Sequence, residues 1–188
     1  MRALVVYESM YGNTRTVALD ISAGLSDTHE VTPVPVTRAT PELVAAADLI
    51  VAGGPTHLHG MSTVASRQMA TEAARKPGSG LTIDPDADGE GLRPWLARLS
   101  GQDVLAASFD TRLSGFPLLT GRASQGISRL LTIRGYRLLL PPASFLVSKQ
   151  NTLVEGETAR ARLWGALIGE TARAAYAAST AARRPSGG

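Results

Sequence analysis

The stretch of sequence that decides the fold is residues 3–14, ALVVYESMYGNT. Its first five residues are apolar, which predicts a β-strand covered by helices on both faces. The apolar residues of 14–25 then recur every three or four positions, which predicts a helix that begins directly after a glycine-containing turn. Backbone amides at such a helix start favour bound anions. A phosphate pocket is therefore expected here, formed by these amides and by four polar side chains, Ser9, Asn13, Thr14 and Thr16.

A simpler role for the same residues is structural. Ser9 and Thr14 are residue types that cap the N-termini of helices. A cap alone does not require the run Gly12-Asn13-Thr14. Phosphate binding is therefore the interpretation that the sequence favours over capping.

The rest of the chain alternates short apolar runs with longer helical patterns. Further strands are predicted at 30–36, 49–52, 104–109 and from 136, and further helices from 41 and at 62–75, 92–99, 123–134 and 157–176. Pro33 and Pro35 place the second strand at a sheet edge, because proline cannot donate a ladder hydrogen bond. The sequence thus predicts an α/β domain over residues 1–178, a doubly wound five-stranded parallel sheet in the order 2-1-3-4-5. Residues 179–188 are predicted to form a disordered basic tail.

Composition excludes several classes of function. The chain has no cysteine, which excludes disulfides, thiolate metal sites and cysteine nucleophiles. The net charge is +3, but the basic residues are spread along the chain and aromatic residues are 5%, so specific nucleic-acid binding is not expected. Apolar stretches all fall short of the ~20 residues that span a bilayer. We expect a cytoplasmic protein without a membrane anchor.

Two further segments follow predicted strands three and four, and ligands of doubly wound sheets bind at the carboxyl ends of their strands. Residues 53–61 are GGPTHLHGM and residues 108–116 are SFDTRLSGF. The pair His57 and His59 allows three interpretations: a metal ligand pair, histidines in solvent, or contact with a bound ligand. His29 is the third histidine of the chain, and no nearby acid completes a metal site. Ligand contact is therefore favoured and no metal is expected.

The motif Ser9-Met10-Tyr11-Gly12-Asn13-Thr14 resembles the flavodoxin phosphate loop, commonly S/T-x-T/S/Y-G-x-T. It is neither a Walker loop nor a Rossmann G-x-G-x-x-G motif. The resemblance extends over almost the whole chain, and it implies flavin mononucleotide (FMN) as cofactor. It implies phosphate contacts from Ser9, Met10, Tyr11, Gly12, Asn13 and Thr14. It also places the flavin ring between two segments, Pro55, Thr56, His57, Leu58 and His59 on one side and Phe109, Asp110, Thr111 and Arg112 on the other.

The two ring segments depart from the family in one respect. Flavodoxins commonly hold the ring between a tryptophan and a tyrosine, whereas neither segment here contains a tryptophan and the later one has no tyrosine. Each aromatic stacking partner contributes ~0.5–1.5 kcal/mol. Phe109, Phe116 and His59 are candidate substitutes.

Three functions are compatible with these features. The first is an FMN protein that transfers electrons to a redox partner protein or a small electron acceptor. The second is an NAD(P)H-dependent FMN quinone oxidoreductase. The third is a flavodoxin-like scaffold without FMN that binds a partner or a small phosphate. The sequence favours the first and leaves the oligomeric state open.

Residues 77–91 form a long predicted loop that contains Asp84, Asp86 and Asp88. The spacing imitates the start of a calcium loop, but Trp95 occupies the position of the required glutamate. A solvated acidic loop is therefore expected, long enough to act as a lid or a partner contact.

Overall fold

The computed structural model describes residues 1–101, 103–116 and 120–182. Its strands are β1 (Arg2–Tyr7), β2 (Glu30–Pro35), β3 (Leu49–His57), β4 (Gly60–Met61), β5 (Leu105–Leu113), β6 (Arg137–Leu138) and β7 (Ala143–Val147). Its helices are α1 (Asn13–Leu25), α2 (Pro41–Ala45), α3 (Val64–Arg75), α4 (Leu92–Arg98), α5 (Ala123–Ile133) and α6 (Glu157–Ala182), with a short 3-10 helix at Val36–Arg38. Among these residues, no helix is long and apolar enough to cross a bilayer.

The parallel strands are ordered β2-β1-β3-β5, followed by β6 and β7, which both pair with β5. β6 pairs with the first residues of β5 and β7 with its last five, so that the two are halves of one strand divided around Pro141-Pro142. The predicted order 2-1-3-4-5 is confirmed, with β2 and its prolines at the edge. Thr40 caps α2, since its side chain accepts from the Leu43 amide.

Side chains alternate between the two faces of the sheet and form two apolar layers. One layer packs beneath α1 and α6 and contains Val5, Val51 and Phe109. The other layer packs against α4 and α5 and contains Val6 and Ile50. This alternation decides which side chains at the carboxyl end of β5 share a pocket.

The two helices of the first layer approach closely through glycines. A Cβ atom on Gly24 of α1 would lie 1.9 Å from the Arg162 carbonyl oxygen of α6, and one on Gly165 would lie 2.2 Å from the Ile21 carbonyl oxygen. No side chain fits at either position without moving a backbone. The crossing of α1 and α6 therefore requires glycine at both positions.

Several predicted boundaries were too short. β3 continues through Gly53, Gly54 and Pro55 to His57, where the sequence suggested a break. Gly53 is required inside the strand because a Cβ atom there would lie 2.2 Å from the Phe109 ring. β5 likewise extends to Leu113. α6 continues to Ala182, so the first part of the predicted tail is helical, while residues 183–188 lie outside the described residues.

Candidate functional site

A pocket of about 230 Å³ lies at the carboxyl edge of the sheet, where the turn after β1 meets the ends of β3 and β5. Eight predicted site residues line it: Met10, Tyr11, Asn13, Thr14, Pro55, Thr56, His57 and Thr111. Three further lining residues were not predicted: Leu113, Val147 and Asn151. Asn151 has a positive φ of 59°. Asparagine is enriched in this conformation, so its residue type is compatible with a specific turn at this position.

The start of α1 forms the base of this site. Gly12 is the N-cap residue with φ 91°, a left-handed conformation that favours glycine. Within the described residues no side chain caps this helix, and its first turn carries no acidic residue. The Thr16 amide donates to the Gly12 carbonyl as the first helical bond. The amides ahead of Thr16 are therefore available to an anion.

Ser9 stabilises the loop between β1 and α1 through a hydrogen bond. Its side chain is buried, and its hydroxyl accepts from the Gly12 amide at 3.1 Å. This bond fixes the turn that brings Gly12 into its left-handed conformation. Ser9 is thus placed to hold the loop and not to face the pocket.

Asn13 and Thr14 connect the loop to the opposite wall. The Asn13 amide nitrogen donates to both the backbone and side-chain oxygens of Asn151, each at 3.0 Å. The hydroxyl groups of Thr14 and Thr111 are hydrogen-bonded at 2.7 Å and buried. These contacts join segments that are far apart in the sequence into one pocket wall.

Met10 and Tyr11 form the side of the pocket nearest α3. The Tyr11 hydroxyl donates to the Ala70 carbonyl at 2.8 Å, and burial raises the pKa of Tyr11. The Met10 carbonyl accepts from the Asp84 amide at 2.8 Å. Asp84 is 3% exposed and lies 3.4 Å from the Arg15 guanidinium. The expectation that Asp84 belongs to a solvated loop is therefore wrong, because Asp84 packs against the loop between β1 and α1.

His57 lies at the junction of the pocket with a buried ion pair. Its Nδ1 is 3.1 Å from the Ser66 hydroxyl. Burial lowers the pKa of His57, the Glu8 carboxylate opposes this shift and the Arg67 guanidinium adds to it. Arg67 Nε lies 3.7 Å from Glu8 Oε1, while Glu8 Oε2 accepts from the Leu92 amide at 2.7 Å. A neutral His57 therefore gives the pocket a lining without formal charge.

Leu58 and His59 do not line this pocket. They form the two-residue turn between β3 and β4, with positive φ values of 45° and 75°. Leu58 is 79% exposed. The pairing of β3 with β4 turns both side chains away, because the chain reverses direction at this point. Within the described residues, no group of three histidine, aspartate or glutamate side chains is close enough to hold a metal ion.

Three predicted residues of β5, Phe109, Asp110 and Arg112, do not line this pocket. The Phe109 ring is fully buried in the first layer and packs edge-to-face on Phe145 and Trp164, at centroid distances of 6.2 and 6.4 Å. Asp110 and Arg112 belong to the opposite face of the strand from Thr111, because side chains alternate along β5. Asp110 is buried and its Oδ2 accepts from the Ser124 amide at 2.7 Å.

The role of Asp110 is at the start of α5. Burial raises the pKa of Asp110, while the hydrogen bonds from Ser124 and Ser144 and the nearby Arg112 guanidinium lower it. Alongside it, the Ala123 amide donates to the Thr56 hydroxyl at 3.0 Å. Asp110 and Thr56 therefore anchor the first turn of α5 to the sheet.

Comparison with known proteins gives similarity of structure. No protein-family model matches the sequence, and no curated protein sequence gives a match. A flavodoxin from the domain Archaea superposes with TM-score 0.64 at 18% identity, covering 92% of this chain and 99% of that chain. Flavodoxin 2 from Bacillus cereus superposes with TM-score 0.63 at 19% identity, covering 90% and 99%. A WrbA-like flavodoxin protein from Agrobacterium tumefaciens superposes with TM-score 0.56 at 21% identity, covering 92% and 98%.

The strand order and this structural similarity agree with the family that the phosphate-loop motif resembles. The chain has the flavodoxin-like fold.

Proposed function

We propose that the chain binds FMN in the pocket at the start of α1 and acts in electron transfer. The redox partner is a protein or a small electron acceptor, and the compartment is the cytoplasm. The flavin supplies reversible redox chemistry when bound, and the protein supplies its position and surroundings. The observation that carries the proposal is the start of α1, where Gly12 occupies the cap position and no side chain of the described residues caps the helix.

The backbone supports the phosphate end of such a ligand. The amides of Asn13, Thr14 and Arg15 precede the first helical bond and point toward the helix start. The Asn13 and Thr14 side chains are bonded to Asn151 and Thr111, so their role is to fix the wall around these amides. Hydrogen bonds to a charged acceptor contribute ~1.5–3 kcal/mol each, which makes several amides an adequate phosphate site.

The remaining walls suit an uncharged aromatic group. Pro55 and Thr56 lie on one side, and Leu113 and Val147 lie on the other. Tyr11 is an aromatic residue of the lining, and its hydroxyl bond to Ala70 fixes the ring position. These residues would bind and orient the flavin and exclude water from its buried side.

A second candidate is a scaffold without flavin that binds a small phosphate. The pocket volume of about 230 Å³ is below the range of ~300–1,000 Å³ common for drug-sized ligands. In flavodoxins the flavin ring lies between the two segments that follow strands three and four. Here the corresponding segments belong to β3 and β5 and are paired with each other as far as Pro55 and Thr111. Both observations favour a ligand smaller than FMN.

Titration with FMN, riboflavin and inorganic phosphate separates the two candidates. If the proposal is right, FMN fluorescence is quenched on binding, and FMN binds at least about tenfold more tightly than riboflavin because riboflavin lacks the phosphate. Phosphate that binds at the start of α1 without FMN binding would instead support the scaffold. Absence of both would contradict the site itself.

Two variants at one position test the helix start directly. Gly12→Asp and Gly12→Asn impose the same backbone strain at φ 91°, and nothing lies within 4 Å of the added Cβ. They differ by one negative charge, which opposes a phosphate within a few ångströms by several kcal/mol, about 4 kcal/mol at 4 Å and an effective dielectric constant of 20. FMN is expected to bind at least about tenfold more weakly to Gly12→Asp than to Gly12→Asn. Riboflavin should not distinguish the two variants, and equal FMN affinities would refute the proposed phosphate position.

A further inference from the structure

A second pocket, of about 250 Å³, lies at the outer edge of β7, and Arg112, Ser144 and Leu146 enter it from the face of β5 and β7 opposite to Thr111. We call it the arginine pocket, and the residues that matter in it are Arg112, Arg122, Ser144, Glu157 and Arg160. Arg112 pairs with Leu146 in the β5–β7 register, so its side chain leaves the sheet on the face opposite Thr111. The arginine pocket therefore cannot be part of the first pocket.

Arg112 is a buried cation with an unused donor. It is 9% exposed, and its Nη1 donates to the Leu113 and Gly115 carbonyls and to the Thr120 hydroxyl, at 3.2, 3.0 and 2.9 Å. These bonds fix the plane of the guanidinium. Its buried Nε has no hydrogen-bond partner among the described residues. The positive charge of Arg112 is therefore only partly compensated by hydrogen bonds, and an anion in the adjoining pocket would offset it through space.

Arg160 is held by different contacts. It donates to both carboxylate oxygens of Glu157 and to the Ser144 carbonyl, and its guanidinium lies 4.3 Å from the Phe145 ring centroid. Glu157 also accepts from the Leu146 amide at 2.7 Å, so the two side chains cover the outer edge of β7. Arg160 is consequently fixed at the rim of the arginine pocket while almost half of its side chain remains exposed.

Arg122 completes the cluster from the start of α5. It is exposed and has no ion pair with any residue that the structure describes. The lining thus contains three guanidinium groups and one carboxylate, and the Asp110 carboxyl, which does not line the pocket, interacts electrostatically with Arg112. The cluster keeps an excess positive charge even with both carboxyl groups ionised.

We propose that the arginine pocket binds a small oxyanion of the phosphate type, either free phosphate or the phosphoryl group of a small molecule. The planar guanidinium fork matches the oxygens of a phosphate, and two or more arginines are a recurrent arrangement for such groups. The inference goes beyond flavin binding and does not depend on it, because no residue lines both pockets.

Binding of inorganic phosphate to the Gly12→Asp variant tests this proposal, since the added carboxylate opposes phosphate at the start of α1. Amide chemical shifts in a two-dimensional NMR titration locate the bound anion. Changes are expected at Arg112, Ser144 and Arg122. Arg122→Gln should weaken binding by about tenfold or more.

A matched control is Arg129→Gln, which removes the same charge from an exposed position of α5 that does not line the arginine pocket. It should leave phosphate affinity within about twofold of the parent. A second test variant, Arg160→Gln, measures how much the guanidinium at the rim of the arginine pocket contributes to phosphate affinity. Its stability is checked by thermal unfolding, because Arg160 also covers the edge of β7. Equal losses in Arg122→Gln and Arg129→Gln, or shift changes confined to α1, would overturn the proposal.

Adenosine 5′-monophosphate, titrated in parallel, identifies the source of the phosphate group. Affinity equal to that of inorganic phosphate assigns the arginine pocket to the free anion. Affinity at least about tenfold higher assigns it to a phosphorylated small molecule with further contacts.

Discussion

The hydroxyl groups of Thr14 at the start of α1 and Thr111 in β5 lie 2.7 Å apart, and both side chains are buried. This bond joins the start of α1 to a strand 97 residues away in the sequence. Because the first turn of α1 has no side-chain cap in the described structure, its position depends on such lateral contacts. The pair therefore holds the floor of the pocket in place.

Replacing one member of the pair should destabilise the fold more than replacing both. Thr14→Val keeps the side-chain shape but leaves the Thr111 hydroxyl buried without a partner, at a cost of ~1–3 kcal/mol. Thr111→Val likewise leaves the Thr14 hydroxyl buried without a partner. The double variant removes both hydroxyl groups and recovers much of that cost. Urea unfolding of the four proteins measures the coupling.

The control for this cycle is Thr16→Val, on the same helix. The Thr16 hydroxyl donates to the Gly12 carbonyl at an exposed position. Its loss should change the free energy of unfolding by less than about 0.5 kcal/mol. Additive effects of the two buried substitutions would show that their hydroxyl groups do not interact.

Much of the fold follows from local sequence. Apolar runs locate the strands, Pro33 and Pro35 identify the edge, and Pro141-Pro142 mark the division of the last strand. The loop between β1 and α1 is also local, since one contiguous motif supplies the turn, the glycine and the helix start. These features need no knowledge of distant contacts.

One physical cause decides which of the predicted β5 residues line the pocket. The sequence predicts the fourth strand only as far as Phe109, whereas β5 continues to Leu113, and alternate side chains along it lie on opposite faces of the sheet. Thr111 therefore reaches the pocket while Asp110 and Arg112 do not. Asn151 contacts Asn13 across 138 residues, a relation that no local pattern encodes.

Stability should depend on pH through His57. Burial lowers the pKa of His57 below its ordinary value of 6.5, so the unfolded chain binds a proton first as the pH falls. The folded state consequently loses stability as the pH decreases from about 6.5 through the lowered pKa, and the loss is complete below it. His57→Asn keeps an amide near the position of Nδ1 and removes this titration.

Urea unfolding of both proteins between pH 7.5 and pH 5 tests this prediction. The comparison with the variant is needed because burial also lowers the pKa of His29, which contributes its own dependence to both proteins. A smaller loss of stability toward pH 5 is expected in His57→Asn. Identical slopes in the two proteins would contradict a buried neutral His57.

Gly24→Ala should destabilise the protein although alanine is the better helix former. In an ordinary helix interior the change stabilises by ~0.5–1 kcal/mol. At Gly24 the added Cβ would lie 1.9 Å from the Arg162 carbonyl oxygen, so α1 and α6 must separate. Overpacking of this kind costs ~1–3 kcal/mol, and thermal unfolding should show a lower Tm.

Gly126→Ala is the matched control in α5. The nearest atoms to its added Cβ belong to the flexible Met61 side chain, at 3.2 Å. Its effect should be neutral or stabilising by up to ~1 kcal/mol. A loss as large as that of Gly24→Ala would mean that the backbone contact with Arg162 is not the cause.

The turn between β3 and β4 offers the last prediction. Leu58 and His59 both have positive φ, the conformation of a type I′ turn, for which Asn-Gly is the preferred sequence. Non-glycine residues held in this region cost ~1–3 kcal/mol each. The double substitution Leu58→Asn, His59→Gly should therefore raise the free energy of unfolding by ~1–3 kcal/mol.

The same variant decides whether these side chains contact a ligand. Leu58 is exposed and lies outside the pocket, while the adjoining His57 is inside it. FMN or phosphate affinity should thus stay within about twofold of the parent, because no contact in the pocket is removed. A gain in stability accompanied by a tenfold loss of affinity would return Leu58 and His59 to the binding site, since relief of turn strain alone would not weaken a ligand held at α1.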